Sequence, residues 1–162
     1  MKKLIIPFLL SGLILATGVN SASAQVQLKE VTISGAPTRV EVSKKVSDSF
    51  SSLFVGAQEP KWFQSNKNYV VRFIMDNQQN KAEFTKKGDL VYHMAFGYEK
   101  EMPADIRTIV KSKYFDYTIN STVKVEYEGK SAWIVNVEDG KQFFVLRVVD
   151  GVMDVLDKIN KV

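Results

Sequence analysis

The single histidine is the first residue in this sequence that could do chemistry. His93 lies in an alternating stretch between Tyr92 and Met94. Histidine can act as a general base or a metal ligand, but a Ser-His-Asp triad or a histidine-ligated zinc site would depend on this one residue. We therefore interpret His93 as a partly exposed strand residue, and keep a hydrolase that uses it as an alternative.

Two closely spaced carboxylate pairs are the other candidates for acid–base work. Glu99 and Glu101 directly precede a predicted helix, as expected of a solvated linker. Asp154 and Asp157 lie near the C-terminus, where no buried partner is predicted. The chain also lacks a phosphate-binding glycine loop, a Gly-x-Ser-x-Gly elbow and a His-Glu-x-x-His motif. The sequence therefore predicts no enzyme, no catalytic residue, no metal site and no cofactor.

The Asp139-Gly140 pair is the strongest turn signal and sets a predicted register. A two-residue turn would pair Glu138 with Lys141. Because successive strand residues point to opposite faces, one face then carries the bulkiest apolar side chains, which we expect to pack on helices: Trp133, Val135, Phe144 and Leu146. A one-residue slip reverses the faces, and the same core argument favours a three-residue loop at 128–130, with Val125 also facing the helices.

The opposite face of this predicted sheet is the candidate binding surface. It mixes apolar side chains with arginine and asparagine, as is typical of protein interaction surfaces. The candidate protein-binding residues are Arg72, Ile74, Ile134, Asn136, Phe143, Val145 and Arg147. A second interpretation stays open, in which the N-terminal segment or a neighbouring strand covers this face.

Hydrophobic periodicity defines the elements that position this surface. Ser43 is the predicted N-cap of a first helix, whose apolar stripe includes Val46 and Phe50. A second helix begins at Pro103, with Asp105 in its first turn. Strands are predicted at 69–75, 81–85, 90–96, 117–119, 123–127, 132–137, 143–148 and 152–156.

The order of one helix followed by strands occurs twice, and parts of it repeat. The recurring positions, 64 residues apart, are Tyr69, Val71 and Phe73 with Trp133, Val135 and Val137. We predict an α+β fold of two tandem helix-plus-antiparallel-sheet units, 40–101 and 102–162, in one compact domain with the helices packed on one face of the sheet. The duplication is compatible with two similar layers or with one continuous sheet.

The N-terminus has the three-part order of a secretory signal: two lysines, an apolar run and a small-residue triplet. We predict a signal peptide at 1–24 with cleavage between Ala24 and Gln25, followed by a lead-in segment at 25–39. No later run has the roughly 20 apolar residues that a membrane span needs. With no cysteine in the chain, a lipoprotein anchor is excluded.

Charge and cysteine content narrow the class of protein further. The net charge is +4 and falls to +2 once Lys2 and Lys3 are removed with the signal peptide. No basic stripe suited to nucleic acid is therefore predicted. Zero cysteines exclude disulfides, so the exported domain has to be stabilised by packing.

The apolar spacings and turn glycines of the two halves also carry a family resemblance. In the first half they are Val46, Phe50, Phe54, Trp62, Val71, Phe73, Phe84 and Gly88, and in the second Pro103, Ile106, Ile109, Tyr114, Trp133, Val135, Val137 and Gly151. This pattern resembles the PepSY-like family of exported bacterial proteins, which are similar in fold to beta-lactamase-inhibitor proteins. The resemblance covers roughly residues 40–158 and implies tandem helix-plus-sheet units in an envelope or secreted binding or inhibitory protein. Those inhibitors carry disulfides that this chain lacks, so inhibition of a beta-lactamase is not inferred.

These patterns together predict a non-enzymatic periplasmic or secreted binding module, with inhibition or regulation of an envelope protein as one form of that role. The expected partner is a protein of the cell envelope and not nucleic acid. The alternative is a small-ligand or glycan-binding protein that uses exposed aromatic side chains.

Overall fold

Helices and runs of strands alternate in the computed structural model, which describes residues 40–161. The elements are α1 (Lys44–Leu53), β1 (Gln58–Ser65), β2 (Asn68–Met75), β3 (Gln78–Phe84), β4 (Leu90–Gly97), a 3-10 helix (Glu99–Glu101), α2 (Ala104–Lys113), β5 (Thr118–Tyr127), β6 (Lys130–Glu138), β7 (Gln142–Val149) and β8 (Val152–Asn160). The predicted signal peptide 1–24, its cleavage site and the lead-in segment 25–39 lie outside the described residues.

Helix α1 begins where the sequence predicts. The Ser43 hydroxyl accepts a hydrogen bond from the backbone N–H of Val46 at 3.5 Å, which confirms Ser43 as the N-cap. Val46 and Phe50, four residues apart, lie on the buried side of the helix. Phe54, the C-cap residue, extends this buried stripe toward the sheet.

Helix α2 begins directly after Pro103, within one residue of the predicted start. Asp105 lies in the first turn, and Lys111 and Lys113 lie in the last turn. This distribution of charge complements the helix dipole. Val110, which is fully buried, anchors α2 against the sheet.

The prediction of two tandem helix-plus-sheet units is wrong, because within residues 40–161 eight strands form one antiparallel sheet in the order β1 to β8. Strands make up 55% of this part of the chain and helices 19%, so the sheet dominates the fold. The halves join where β4 pairs with β5, from Tyr92 opposite Tyr127 to Gly97 opposite Thr122. Two separate sheets would have four edge strands, whereas the joined sheet of residues 40–161 has two, β1 and β8.

Two buried clusters form where the helices pack on the sheet, and each includes residues of its helix. The cluster under α1 comprises Val46, Phe50, Phe54, Val71, Phe73, Ala82 and Phe84. The cluster under α2 comprises Met102, Val110, Tyr114, Ile119, Val135, Val137, Phe144, Leu146 and Val148.

A single row of cross-strand pairs shows that both clusters use the same face of the sheet. The row runs through Phe73, Asn80, Ala95, Lys124 and Trp133, each paired with the next. Directly paired residues share a face. Because Phe73 belongs to the first cluster and Trp133 packs against the second, the opposite face is left without helices from the described residues.

Strand β1 is missing from the sequence prediction because it is mostly polar and contains Pro60. Proline cannot donate a ladder hydrogen bond and is confined to edge strands and bulges. Both conditions hold, since β1 is an edge strand whose register shifts between Gln58 and Lys61. Trp62 holds the strand in place by packing on the cluster under α1.

The β6–β7 hairpin keeps the predicted faces although its register differs by two residues. Glu138 pairs with Phe143 and not with Lys141. The Asp139 carboxylate accepts hydrogen bonds from the N–H groups of Lys141 at 2.7 Å and Gln142 at 2.6 Å, and this closes a wider loop. A shift of two residues preserves the face, so the four predicted core residues of this hairpin are confirmed.

The three-residue loop predicted between β5 and β6 is wrong. A two-residue turn of Glu128 and Gly129, with φ of 48° and 73°, joins the strands. Positive φ at both central positions gives the turn whose twist matches an antiparallel hairpin. Val125 therefore lies opposite Ala132 on the face away from the helices.

Gly88 is required where α1 lies over the loop between β3 and β4. Its φ is +91°, and a β-carbon there would lie 2.7 Å from Ser49 Oγ and 3.2 Å from the Lys45 carbonyl oxygen. We expect Gly88→Ala to lower the free energy of unfolding by about 2–4 kcal/mol, because a left-handed backbone costs about 1–2 kcal/mol and overpacking adds to it.

The matched control for Gly88 is Gly129→Ala. Gly129 also has a positive φ, +73°, but nothing lies within 4 Å of an added β-carbon. Urea denaturation of both variants measures the loss that comes from the close approach of α1 to Gly88. Equal losses in the free energy of unfolding from the two variants would show that this close approach has no effect on stability.

Candidate functional site

The face opposite the helices, called here the helix-free face, contains all seven residues predicted as the binding surface. On β2, β6 and β7 these residues are Arg72, Ile74, Ile134, Asn136, Phe143, Val145 and Arg147. They alternate along the strands with the buried residues Val71, Phe73, Val135 and Leu146, whose side chains face α1 and α2. Arg72, Ile74 and Arg147 are exposed and the other four are half-buried.

Sequence reasoning missed the aromatic and apolar residues that the other strands add to this face. They are Phe63 on β1, Tyr92, Met94 and Phe96 on β4, and Val123, Val125 and Tyr127 on β5. Strand alternation could have placed these residues on this face, since each lies next to a residue whose side chain faces the helices. Phe63 lies on β1, which was not predicted, and the face of the β5 residues depends on the β5–β6 turn, whose length was predicted incorrectly. The face of the β4 residues depends on the pairing of β4 with β3 and β5.

Two cations on the C-terminal half of the helix-free face, Arg147 and Lys161, are paired with carboxylates. Arg147 donates to Asp154 from Nε at 3.1 Å and from Nη2 at 2.6 Å, and this fork lowers the pKa of Asp154. Lys161 Nζ lies 2.6 Å from Glu138 Oε2, and this hydrogen bond lowers the pKa of Glu138. The polar groups there therefore largely satisfy one another.

The N-terminal half of the face contains a shallow, open depression of about 490 Å³. Its lining includes Glu59, Lys61, Phe63, Arg72, Ile74, Gln79, Lys81 and Phe96. The Arg72 guanidinium carbon lies 5.4 Å from the centre of the Phe63 ring, and Lys81 Nζ lies 5.5 Å from the centre of the Tyr92 ring. Cation–π contacts of this kind hold the charged groups over aromatic surface.

His93 is buried, with 7% of its surface exposed, so its interpretation as a partly exposed residue is wrong. Its alternation places it on the helix side, 4.8 Å from the Phe54 ring and 6.2 Å from the Phe73 ring by centroids. Its Nδ1 lies 2.9 Å from Glu126 Oε2, and its Nε2 lies 2.9 Å from Asn80 Oδ1. The residue is therefore part of a polar network and not of the helix-free face.

Hydrogen-bond partners hold the ring of His93 at both of its nitrogens. Asn80 Nδ2 donates to the carbonyls of Met75 at 3.3 Å and Gln78 at 2.9 Å, so its Oδ1 is left to accept from Nε2. At Nδ1 the acceptor is the Glu126 carboxylate, whose pKa is lowered chiefly by its hydrogen bond with His93. Both ring nitrogens of His93 are therefore engaged by side-chain partners, and a ring held in this way supports the sheet and offers no free nitrogen to act as a base.

Acid should weaken the fold through Glu126. Because the folded-state pKa of Glu126 is depressed, its contribution is present above the unfolded value of about 4.3 and is lost as the pH falls through the folded value. The side chain is 42% exposed, so solvent screening limits this contribution to about 0.5–1 kcal/mol. We expect Glu126→Gln to lower the free energy of unfolding by that amount near neutral pH and by little near pH 3, in urea titrations.

The control for this pH profile is Glu41→Gln, a change at an exposed position just before α1. It should leave the wild-type acid dependence unchanged. If Glu126→Gln also retained the wild-type acid dependence, the Glu126–His93 pair would not be a source of stability.

The carboxylate pairs considered from sequence serve local structure. Glu101 Oε2 accepts a hydrogen bond from the backbone N–H of Tyr98 at 2.8 Å, and Asp154 is held by Arg147. Across residues 40–161, no cluster of three or more acidic or histidine side chains is arranged to hold a metal ion. Neither α1 nor α2 has the length and hydropathy that a bilayer-crossing helix needs.

Comparison with solved structures finds similar folds in Bacteroides proteins. A BLIP-like protein from Bacteroides fragilis superposes with a TM-score of 0.61 and 22% identity, over 75% of this chain and 87% of that one. A DUF2874 family protein from Bacteroides uniformis gives a TM-score of 0.59 and 14% identity, over 74% and 90%. A Bacteroides eggerthii protein whose name proposes a periplasmic location gives 0.59 and 17%, over 75% and 90%.

At these identities the likeness shows the fold, and the fold is BLIP-like. No family model matches the chain, and no curated protein is significantly similar to it in sequence. None of the three structural neighbours carries a name that describes catalysis. The comparisons therefore show the fold of this chain and not its function.

Proposed function

We propose that this protein is a non-enzymatic binding module of the bacterial envelope, periplasmic or secreted, that binds another protein through its helix-free face. The observation that carries the proposal is the surface itself, where aromatic and aliphatic side chains lie beside arginine and lysine on an open sheet. Inhibition or regulation of an envelope protein is the role we assign to such binding. Membership of the PepSY-like family and export by the signal peptide 1–24 belong to the same proposal.

The size of the helix-free face supports a protein partner. Eight strands spaced by about 4.8 Å, each contributing roughly six residues of about 3.3 Å, present on the order of 700 Å². A standard protein interface buries roughly 800 Å² on each partner. The face is therefore large enough for a specific complex without help from the helices.

Capture from an envelope extract tests this proposal. Ile134 pairs with Val123 on one side and Arg147 on the other, near the middle of the helix-free face. We expect Ile134→Asp to reduce the captured partner at least tenfold, because a charge placed in the apolar centre of an interface removes a hot spot worth about 2 kcal/mol or more.

Leu53→Asp provides the matched control for capture. Leu53 is 55% exposed on α1, on the other side of the sheet, and receives the same substitution. Circular dichroism should show both variants folded. If Ile134→Asp and Leu53→Asp both capture as much partner as the wild type, the helix-free face is not the binding surface.

A small ligand or glycan is the second candidate, and the depression lined by Phe63 and Phe96 is the observation that favours it. A ligand that binds only the folded state must raise its stability. A thermal-shift screen of sugars and small anions therefore distinguishes ligand binding from protein binding. A rise in melting temperature that Phe96→Ala removes would favour this second function.

A further inference from the structure

Three cations lie side by side across the first three strands of the helix-free face. Lys61 pairs with Arg72, and Arg72 pairs with Lys81; these three residues are called the cationic row. Paired residues have β-carbons about 5 Å apart, so the row extends roughly 10 Å across the strands. Like charges placed directly opposite one another destabilise a sheet, so this arrangement works against the stability of the free protein.

The described part of the chain does little to neutralise the cationic row. Among residues 40–161, the one carboxylate within 4 Å of the row is that of Glu59, which lies 3.9 Å from Lys61 Nζ with both side chains more than 60% exposed. Arg72 and Lys81 contact aromatic rings instead of carboxylates. On the other half of the same face, by contrast, Arg147 forms a bidentate ion pair with Asp154. The row therefore places cations side by side on neighbouring strands, and two of them have no carboxylate within 4 Å among residues 40–161.

We propose that the cationic row binds the carboxylates of an acidic segment in the partner protein. This inference rests on the proposed function and specifies the chemistry of the partner. Native proteins break local folding rules at functional sites, and three adjacent cations break the rule for cross-strand pairs. The depression beside the row, with Phe63, Ile74 and Phe96 in its lining, accepts apolar side chains that flank the carboxylates.

The shape and charge of the surface favour an acidic protein segment over other anions. A small anion such as phosphate is held best by donors that converge on it, whereas these cations are spread along a line over an open surface. Nucleic acid needs a longer stripe of positive charge, whereas the row ends at Lys81, which pairs next with Met94.

Fluorescence anisotropy of a labelled peptide tests the proposal on the mature protein. The probe is a fluorescein-labelled peptide with three aspartates interleaved with alanine and leucine, and its reference has asparagine at the same three positions. We expect the aspartate peptide to bind at least tenfold more tightly than the asparagine peptide. This preference should shrink as salt is raised, because exposed ion pairs are screened.

Matched double variants locate the binding. Arg72→Gln with Lys81→Gln should abolish the preference for aspartate and change the stability in urea little, since relief of a like-charge pair offsets the loss of two cation–π contacts. Lys86→Gln with Lys87→Gln makes the same change in net charge at two exposed lysines between β3 and β4 and should bind like the wild type.

Three results would overturn the proposal: equal binding of the two peptides, an unchanged preference in the Arg72 and Lys81 double variant, or displacement of the peptide by phosphate or heparin at an ionic strength at which sodium chloride does not displace it. This failure is distinguishable from failure of the proposed function. If Ile134→Asp abolishes capture of an envelope protein while the double variant captures it normally, the face binds a partner but the cationic row does not.

Discussion

We expect Phe84→Ala to lower the free energy of unfolding by about 3–5 kcal/mol, the usual loss when a buried phenylalanine is truncated to alanine. Phe84 is fully buried on β3 beneath α1. Its ring centre lies 5.9 Å from that of Trp62 and 6.3 Å from those of Phe50 and Phe54. A domain whose total stability is about 5–15 kcal/mol loses a large share of it with this one side chain. Urea denaturation followed by tryptophan fluorescence measures the loss.

The control for Phe84 is Phe96→Ala on the adjacent strand. Phe96 lies on the opposite face of the sheet and is 40% exposed, so we expect it to lose less than about 1 kcal/mol. The same substitution thus distinguishes the face that stabilises the protein from the face assigned to binding. Comparable losses from both variants would show that the helix-free face is itself a core.

The second large effect is expected at Asn80, whose side chain is 3% exposed. Asn80→Ala removes the donor to the carbonyls of Met75 and Gln78 and the acceptor for His93 Nε2. Buried polar groups left without partners cost about 1–3 kcal/mol each. We therefore expect a loss of about 2–4 kcal/mol in the free energy of unfolding, measured by urea denaturation.

Gln79→Ala is the matched control for Asn80. Gln79 precedes Asn80 on β3, is exposed, and lies on the helix-free face. Its truncation should change the stability by about 0.5 kcal/mol or less. A loss below about 1 kcal/mol for Asn80→Ala would mean that water replaces these hydrogen bonds and that the network is not a source of stability.

The faces of the strands were more predictable than their partners. A slip of two residues in the β6–β7 hairpin moved every pair but left Trp133 and Leu146 on the helix side, because side chains alternate with a period of two. The slip of one residue at the β5–β6 turn instead carried Val125 to the other face. The cause of this slip was local, because Glu128 adopts a positive φ. A glutamate predicts a positive φ less clearly than an asparagine or a glycine at the same position would.

The sequence could not reveal the joining of the two halves or the burial of His93, because both depend on one long-range pairing. When β4 pairs with β5, His93 comes opposite Glu126, and the polar side chains of these strands meet between the two apolar clusters. Local patterns do not encode this contact between residues 33 positions apart. The candidate surface was therefore predicted in part: its residues on β2, β6 and β7 were predicted, and its aromatic and apolar residues on β1, β4 and β5 were missed.

Binding of a partner protein to the helix-free face is tested most directly by site-specific photo-crosslinking in the producing bacterium. A benzophenone amino acid replaces Phe96 or Phe143 on that face, or Leu53 on α1 or Arg107 on α2 as controls; Leu53 and Arg107 are exposed. We expect a crosslinked protein adduct from both positions on the helix-free face and none from either helix. Adducts from Leu53 or Arg107, with none from Phe96 and Phe143, would contradict it.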